Sequence, residues 1–192
     1  VKEKRTAQQV FDEWALDYHA GGMEKGHWKS VRRAFDIIPD SVGRYLEIGV
    51  GNGYAINYMA EHQFKNGTCY GLDISENMVK KAESRMEGVE NVHLETADFL
   101  SWNPPEPHFS CIFSMEVFYY FSDINRAVQK AASLLEPGGL LMVLVNFYRE
   151  NPQSHSWPSD LSVPMTLWSA SNYRQAFADA GLSPVRQQQL KD

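Results

Sequence analysis

Leu46-Glu47-Ile48-Gly49-Val50-Gly51-Asn52-Gly53 (residues 46–53) decides the fold. The run from Arg44 to Gly49 reads as a buried strand, and the stretch from Tyr54 to Phe64 reads as a helix. Alternate glycines between them let the backbone turn tightly and approach a ligand with no Cβ in the way. Downstream, the same strand-then-helix rhythm repeats. Strands are expected at Thr68–Asp73, Asn91–Thr96, Phe109–Met115, 140–147 (LLMVLVNF) and Leu182–Leu190. Ser75 and Asp123 are placed to cap the intervening helices, with Met78, Val79 and Ala82 facing inward on the first of them. Pro137-Gly138-Gly139 is expected to stop the second, a polar loop to run to about Leu167, and a last helix to span Ser169–Ala180. Upstream, Val10, Phe11, Trp14 and Tyr18 recur at helical spacing over about 6–20, Gly21-Gly22 is expected to break that helix, and a second runs from Trp28 to Ile38.

Strands separated by helices pair in parallel through right-handed crossovers. The chain is therefore expected to form an α/β, doubly wound, mostly parallel sheet with helices on both faces, a three-layer α/β/α arrangement. The 192 residues suit a single domain over 1–192. Within it, 1–40 would form an N-terminal helical lid, 42–147 the ligand-binding core, and 148–192 a substrate-side loop with a C-terminal helix and strand.

Composition narrows the function. Hydrophobic residues make up 43% and charged residues 22%, with a net charge of −6. There is no large basic block, which argues against a nucleic-acid partner. No window is long and apolar enough to span a membrane, and no signal segment opens the chain, so a cytoplasmic enzyme is expected, monomeric or dimeric. The start at Val1 rather than Met points to a trimmed or incomplete N-terminus. Cys69 and Cys111 both lie in strand-like apolar runs and read as small buried hydrophobes. The six histidines are far apart, so no metal site is expected.

Ligands of such sheets bind at the carboxyl ends of the strands. The glycine turn is followed by free N–H groups of a helix N-terminus, which suit a carboxylate or phosphate, although such a turn also has a purely structural reading. Asp73 ends the second strand, where a carboxylate can accept hydrogen bonds from ribose hydroxyls, and Ile74 could pack on an adenine face. After the third strand, Asp98 could accept a hydrogen bond from the adenine amino group and Phe99 could flank the ring, with core packing as the other reading of Phe99.

The blocks LEIGVGNG, GLDIS, ADFL, FSCIFSMEVFYYF and LLEPGGLLMV occur in order across about 42–147. Together they resemble the class I S-adenosylmethionine-dependent methyltransferases, of the type 11/12-like small-molecule group, and FDEWALDYHA resembles that family's N-terminal segment. The resemblance implies a Rossmann-like fold and S-adenosylmethionine as cofactor, with S-adenosylhomocysteine as product. By position, Glu47, Gly49, Gly51 and Gly53 would form the loop under the methionine part of the cofactor. Asp73 would hold the ribose, and Asp98 and Phe99 the adenine, with Ile74 and Met78 beside them. Ser114 and Met115 would line the floor near the sulfonium, and Tyr18 would close over it. The sequence departs from the family at Phe109-Ser110, where Phe-Asp is common, and at Tyr119-Tyr120, where Glu-His is common. The family's sheet usually closes with a hairpin of strands six and seven; this sequence stops soon after the expected sixth, so either the seventh is missing from it or the fold is trimmed.

A nicotinamide oxidoreductase is the competing reading. Its third glycine falls at the sixth position, where this chain has Tyr54, and it keeps an apolar residue where Glu47 stands. A non-catalytic adenosyl-ligand-binding protein is a third reading. For methyl transfer to a small-molecule acceptor, a base is needed only if the acceptor must lose a proton. His19, His27 and Glu116 are the candidates, although a lone histidine is more often structural. Trp28, Tyr119, Tyr120 and Phe147 could contact the acceptor, within a wider aromatic set that includes Trp14, Tyr148, Trp157 and Trp168. Core and lid packing is the alternative for these rings. The glycines at 21, 22 and 26 could hinge a lid over 21–28. Asn103-Pro104-Pro105-Glu106 resembles an amino-methyltransferase motif but precedes the fourth strand and lacks its aromatic residue, so it reads as a loop.

Overall fold

The computed structural model describes residues 4–16, 19–41, 43–105 and 108–190, without the side chains of 19–21. Five strands form one wholly parallel sheet: β1 (Arg44–Ile48), β2 (Thr68–Asp73), β3 (Val92–Thr96), β4 (Phe109–Met115) and β5 (Leu135–Leu144). Their order is β3-β2-β1-β4-β5. The direction of winding reverses between β1 and β4, which puts the switch point where ligands bind at the carboxyl ends of those two strands. Helices α1 (Ala7–Ala15), α2 (His19–Phe35), α3 (Tyr54–Glu61), α4 (Glu76–Arg85), α5 (Ile124–Leu134), α6 (Trp157–Leu161) and α7 (Ala170–Asp179) complete the chain, with 3-10 turns at Phe118–Tyr120 and Pro152–Ser154.

Both sheet faces are covered, as a parallel sheet requires. On one face Val31 and Phe35 of α2 and Ala55, Ile56 and Met59 of α3 bury Tyr45, Cys69, Cys111 and Phe113. On the other, Ile124, Ala127, Val128 and Ala131 of α5 pack with Tyr173 and Ala176 of α7 against Leu46, Leu72 and Ile112. Cys69 and Cys111 are buried free thiols, and burial pushes Cys69 up to about 12. No helix among the described residues is long and apolar enough to cross a membrane, and no group of three or more metal-ligating side chains converges there.

Several expectations need correction. Gly21-Gly22 does not break the N-terminal helix: α2 runs unbroken from His19 to Phe35, so the proposed hinged lid over 21–28 is regular helix. Each helical glycine costs about 1 kcal/mol relative to Ala, but α2 offsets this through tertiary contacts. Val31 and Phe35 are fully buried, Trp28 packs edge-on against Tyr54 and Tyr58, and Glu24 pairs with Arg85 at 2.6 Å. Strand β5 begins at Leu135, directly at the end of α5, rather than after Pro137-Gly138-Gly139. Those three residues form a bulge between the Phe109↔Leu135 and Cys111↔Leu140 pairings. Gly138 takes φ +84°, and a Cβ on Gly139 would lie 2.8 Å from the Phe109 carbonyl oxygen, so the glycines permit the bulge rather than end a helix. Residues 182–190 form no sixth strand. Ser183-Pro184 removes a ladder donor, and Gln187, Gln188 and Gln189 offer no apolar alternation. The polar loop after β5 holds α6 and a 3-10 turn.

Candidate functional site

The glycine turn owes its shape to three left-handed residues: Gly49 (φ +79°), Gly51 (φ +53°) and Gly53 (φ +81°). Their surroundings differ. A Cβ on Gly49 would lie 2.2 Å from Val117, and one on Gly53 would lie 3.0 Å from the Ala82 backbone, so these two permit close packing of the protein on itself. A Cβ on Gly51 would meet nothing within 4 Å. Of the three, Gly51 alone faces open space, at the carboxyl end of β1 by the switch point.

Asp73, nearly buried at the end of β2, braces that turn. Its Oδ2 accepts the Gly51 N–H at 2.9 Å and its Oδ1 accepts the Ser75 N–H at 2.9 Å. Burial pushes its carboxyl up to about 6, against the pull of these bonds. Next to it stands Ile74, one of few large apolar side chains left 39% exposed. A carboxylate with an apolar neighbour at the rim of an open glycine turn fits a ribose carrying a flat base. Glu47 lies beneath the turn, 3% exposed, and accepts the Tyr45 hydroxyl at 2.8 Å. Removal from water pushes it up to about 8. Asp98 sits exposed at the end of β3 with one oxygen accepting the Leu100 N–H.

Other expected cofactor residues support the cleft from below. Phe99 is 3% exposed and packs in the core of the α5 face, so the structure favours its core reading. Met78 is fully buried against Ala15 of α1, with Phe11, Trp14 and Met23 around it. Ser114 is fully buried and donates to the Ile48 carbonyl at 2.9 Å, tying β4 to β1. Met115 is half-buried on the α2–α3 face. Tyr18 and the His19 side chain lie outside the described residues, and His27 is carried on α2.

Across the switch point, Glu116 follows β4 in a left-handed conformation (φ +58°), which is strained for a residue with a Cβ. Its Oε2 accepts the Tyr119 hydroxyl at 2.8 Å and its Oε1 the Asn146 N–H at 2.6 Å. Burial pushes the carboxyl up to about 7, against both bonds. Tyr119 is the hub of an aromatic wall. Its ring lies 4.6 Å from Tyr120, 5.3 Å from Phe147 and 6.4 Å from Trp157. Phe11 of α1 meets Tyr120 at 5.4 Å and Trp14 at 5.5 Å. The structure thus gathers Trp14, Tyr119, Tyr120, Phe147 and Trp157; Tyr119 and Phe147 are buried and pack the wall, while Trp14, Tyr120 and Trp157 stay half-buried. Trp28 packs instead on α3, and Trp168 on Tyr173 of α7.

Asp12, Glu24, Asn52 and Arg85 belong to no motif that points to a role, yet they tie α1 and α2 to the segments that follow β1 and β2. Asp12 of α1 accepts from the Ser75 hydroxyl, and Asn77 Nδ2 donates to the Asp12 carbonyl, so α1 is latched beside Asp73 while Phe11 reaches the aromatic wall. Glu24 binds Asn52 in the glycine turn and Arg85 of α4. A surface hollow of about 230 Å3 lies elsewhere, near β3, lined by Tyr70, His93, Leu94 and Trp102, and includes none of these residues.

Comparison with known proteins agrees with this geometry. A family model described as "Methyltransferase domain" matches residues 19–187. Among solved structures, a chain of the complex between the Haloferax volcanii Trm112 methyltransferase activator and its methyltransferase superposes with a TM-score of 0.84. It is 33% identical, and the match covers 93% of this chain and 77% of that one. An uncharacterized methyltransferase of Anoxybacillus flavithermus is 29% identical over 69% of this chain and 64% of its own length. A phosphoethanolamine N-methyltransferase of Plasmodium falciparum is 32% identical over 65% of this chain and 45% of its own. The chain thus spans about half to two thirds of these curated relatives. The nicotinamide oxidoreductase reading finds no support among them. The glycine turn, the braced Asp73 and the family match converge: the chain belongs to the class I S-adenosylmethionine-dependent methyltransferases.

Proposed function

We propose that this protein transfers a methyl group from S-adenosylmethionine to a small-molecule acceptor, as an enzyme of the cytoplasm. The observation that carries the reading is the direct apposition of two half-sites. Gly49 of the glycine turn lies so close to Val117 that a Cβ there would come within 2.2 Å of it, and Val117 adjoins Glu116 at the head of the aromatic wall. S-adenosylmethionine supplies a sulfonium-activated methyl group that is displaced in line. The protein's own work is to bind, orient and exclude water. Asp73 accepts the ribose hydroxyls, Ile74 and Asp98 flank the adenine, and the cleft at Gly51 admits the cofactor backbone. Glu47 compensates the methionine ammonium. Helix α1, latched through Asp12 and Phe11, roofs both half-sites and limits entry of water.

A Trm112-type activator protein is part of the proposal as a partner, supported by 33% identity to the Haloferax volcanii chain. Calorimetric titration with S-adenosylmethionine, S-adenosylhomocysteine and NADH in parallel tests the cofactor. Binding of both adenosyl ligands and not NADH is expected, and binding of NADH alone, or of none, would overturn the reading. Gel filtration with a Trm112 protein tests the partner. Separate elution removes the partner and leaves the methyltransferase standing.

A further inference from the structure

We propose that the acceptor side of the site is built for an amine that arrives protonated, held between the Glu116 carboxylate and the half-buried rings of Tyr120 and Trp157, which the buried rings of Tyr119 and Phe147 hold in place. The inference rests on the methyltransferase reading and goes beyond it by naming the acceptor's chemical class.

Three observations carry it. First, among the described residues no cation compensates Glu116. Its carboxyl accepts two neutral donors, Tyr119 and the Asn146 N–H, and no lysine or arginine is among the groups that shift it. A desolvated carboxylate ordinarily has a cation beside it. The ionisable groups that respond to Glu116 from the packed elements are all phenols: Tyr54 of α3, Tyr119 and Tyr120 of the 3-10 turn, and Tyr173 of α7. Each phenol is raised by burial first and so stays neutral at physiological pH. Second, the partly open side chains of the wall beside it, Tyr120 and Trp157, are aromatic, and ring faces attract cations. Trp157 stacks on the buried Phe147, 23° from parallel with centroids 6.3 Å apart, which fixes the orientation of its ring. Third, Glu116 remains half-buried rather than sealed, at the carboxyl end of β4 beside the glycine turn. The ligand would sit at this partly open edge, where it would exchange with the Tyr119 or Asn146 donor.

The chemistry balances. An ammonium has no lone pair with which to attack. Glu116 takes one proton and leaves a neutral amine. The amine lone pair then forms the N–C bond as the C–S bond breaks, and its electron pair stays on sulfur as the thioether. The product is an N-methylammonium, and the proton on Glu116 passes to water when the product leaves. Each turnover releases one proton overall.

The test uses the full chain saturated with S-adenosylhomocysteine and two probes of equal shape: choline, and its neutral carbon isostere 3,3-dimethylbutan-1-ol. Choline is expected to bind at least about tenfold more tightly than the isostere, the scale of a desolvated cation on rings and a carboxylate. In the wild type that preference should decline as pH falls through about 7, the value to which burial lifts Glu116, while binding of the isostere stays flat. Glu116→Gln should cut the preference to the part the rings supply and remove its dependence on pH. Tyr119→Phe removes a bond that lowers Glu116, so it should move the decline to higher pH. Equal binding of the probes, or a pH-independent preference, would overturn the assignment. If Glu116→Gln instead weakened S-adenosylmethionine but not S-adenosylhomocysteine, the carboxylate would belong to the sulfonium and the acceptor assignment would fall. Failure of the wild type to bind S-adenosylhomocysteine at all would sink the methyltransferase reading itself.

Discussion

The two halves of the cleft are built by different means. At the ends of β1 and β2 the site is backbone, held by left-handed glycines and by one carboxylate that accepts main-chain N–H groups on both sides. At the ends of β4 and β5 it is made of side chains contributed by α1, the 3-10 turn after β4, the segment after β5, and α6. A backbone site tolerates few sequences and so fixes what binds. A side-chain site can be rewritten residue by residue without disturbing the sheet. One scaffold can thus keep one cofactor while its acceptor changes.

The sharpest way to break this contrast is to exchange glycines within the turn itself. Gly51→Val and Gly53→Val incur the same left-handed penalty, since both positions have positive φ. Only at Gly53 does the new side chain strike protein, at the Ala82 backbone. Gly51→Val should therefore weaken S-adenosylhomocysteine binding by more than about 100-fold while the fold is retained, because its side chain fills the open cleft. Gly53→Val should lose ~2–4 kcal/mol of stability from clash and strain together. Circular dichroism, thermal melts and calorimetry on the pair separate the two outcomes. Normal ligand affinity in Gly51→Val would show that this turn faces no cofactor.

This asymmetry also explains what could be read from the sequence. The backbone half was legible because its constraints are local: the glycine spacing, the carboxylate that ends β2 and the Ser75 cap stand in consecutive residues. All five core strands could be placed for the same reason, apart from the two ends of β5, which runs Leu135–Leu144 rather than 140–147. What failed depended on distant contacts. Gly21-Gly22 reads as a helix break until Val31, Phe35 and Trp28 are seen anchoring α2 to α3. Residues 182–190 follow a helix like every earlier strand, yet they lack the donors and the alternation to pair. Asp12 and Glu24 are ordinary helical acids until Ser75, Asn77, Asn52 and Arg85 are brought beside them. Phe99 and Met78 have the right sequence position for adenine, but burial assigns them to packing.

A smaller effect tests whether Asp73 acts as brace, ligand or both. Asp73→Ala should weaken S-adenosylhomocysteine by about 10- to 100-fold, ~1.5–3 kcal/mol, the scale of hydrogen bonds to a charged group. Asp73→Asn keeps one acceptor oxygen for the Gly51 or Ser75 N–H and should recover part of the stability but little of the affinity. Full recovery of affinity in the asparagine variant would reduce Asp73 to a structural brace.

The smallest expected effect is a fraction of a proton, and it bears on why a carboxyl lies buried under the turn. Glu47 is lifted from 4.5 to about 8, so it is largely protonated in the ligand-free protein at pH 7. A cofactor ammonium placed beside it favours the ionised form. S-adenosylhomocysteine binding near pH 7 should then release protons, seen as a dependence of the calorimetric heat on the ionisation enthalpy of the buffer. The sign extends to stability. A carboxyl whose value is raised on folding contributes stability that is fully present below its unfolded value and lost as pH rises through its folded value. Asp73 at about 6 and Glu116 at about 7 act in the same direction, but over lower windows. The ligand-free protein should therefore melt at progressively lower temperature from pH 5 to pH 8, with the part between 7 and 8 belonging mainly to Glu47. Glu47→Gln should flatten that upper part and abolish most of the proton release. If both persist in the glutamine variant, the proton comes from elsewhere, and Glu47 is a packing residue that happens to carry a carboxyl.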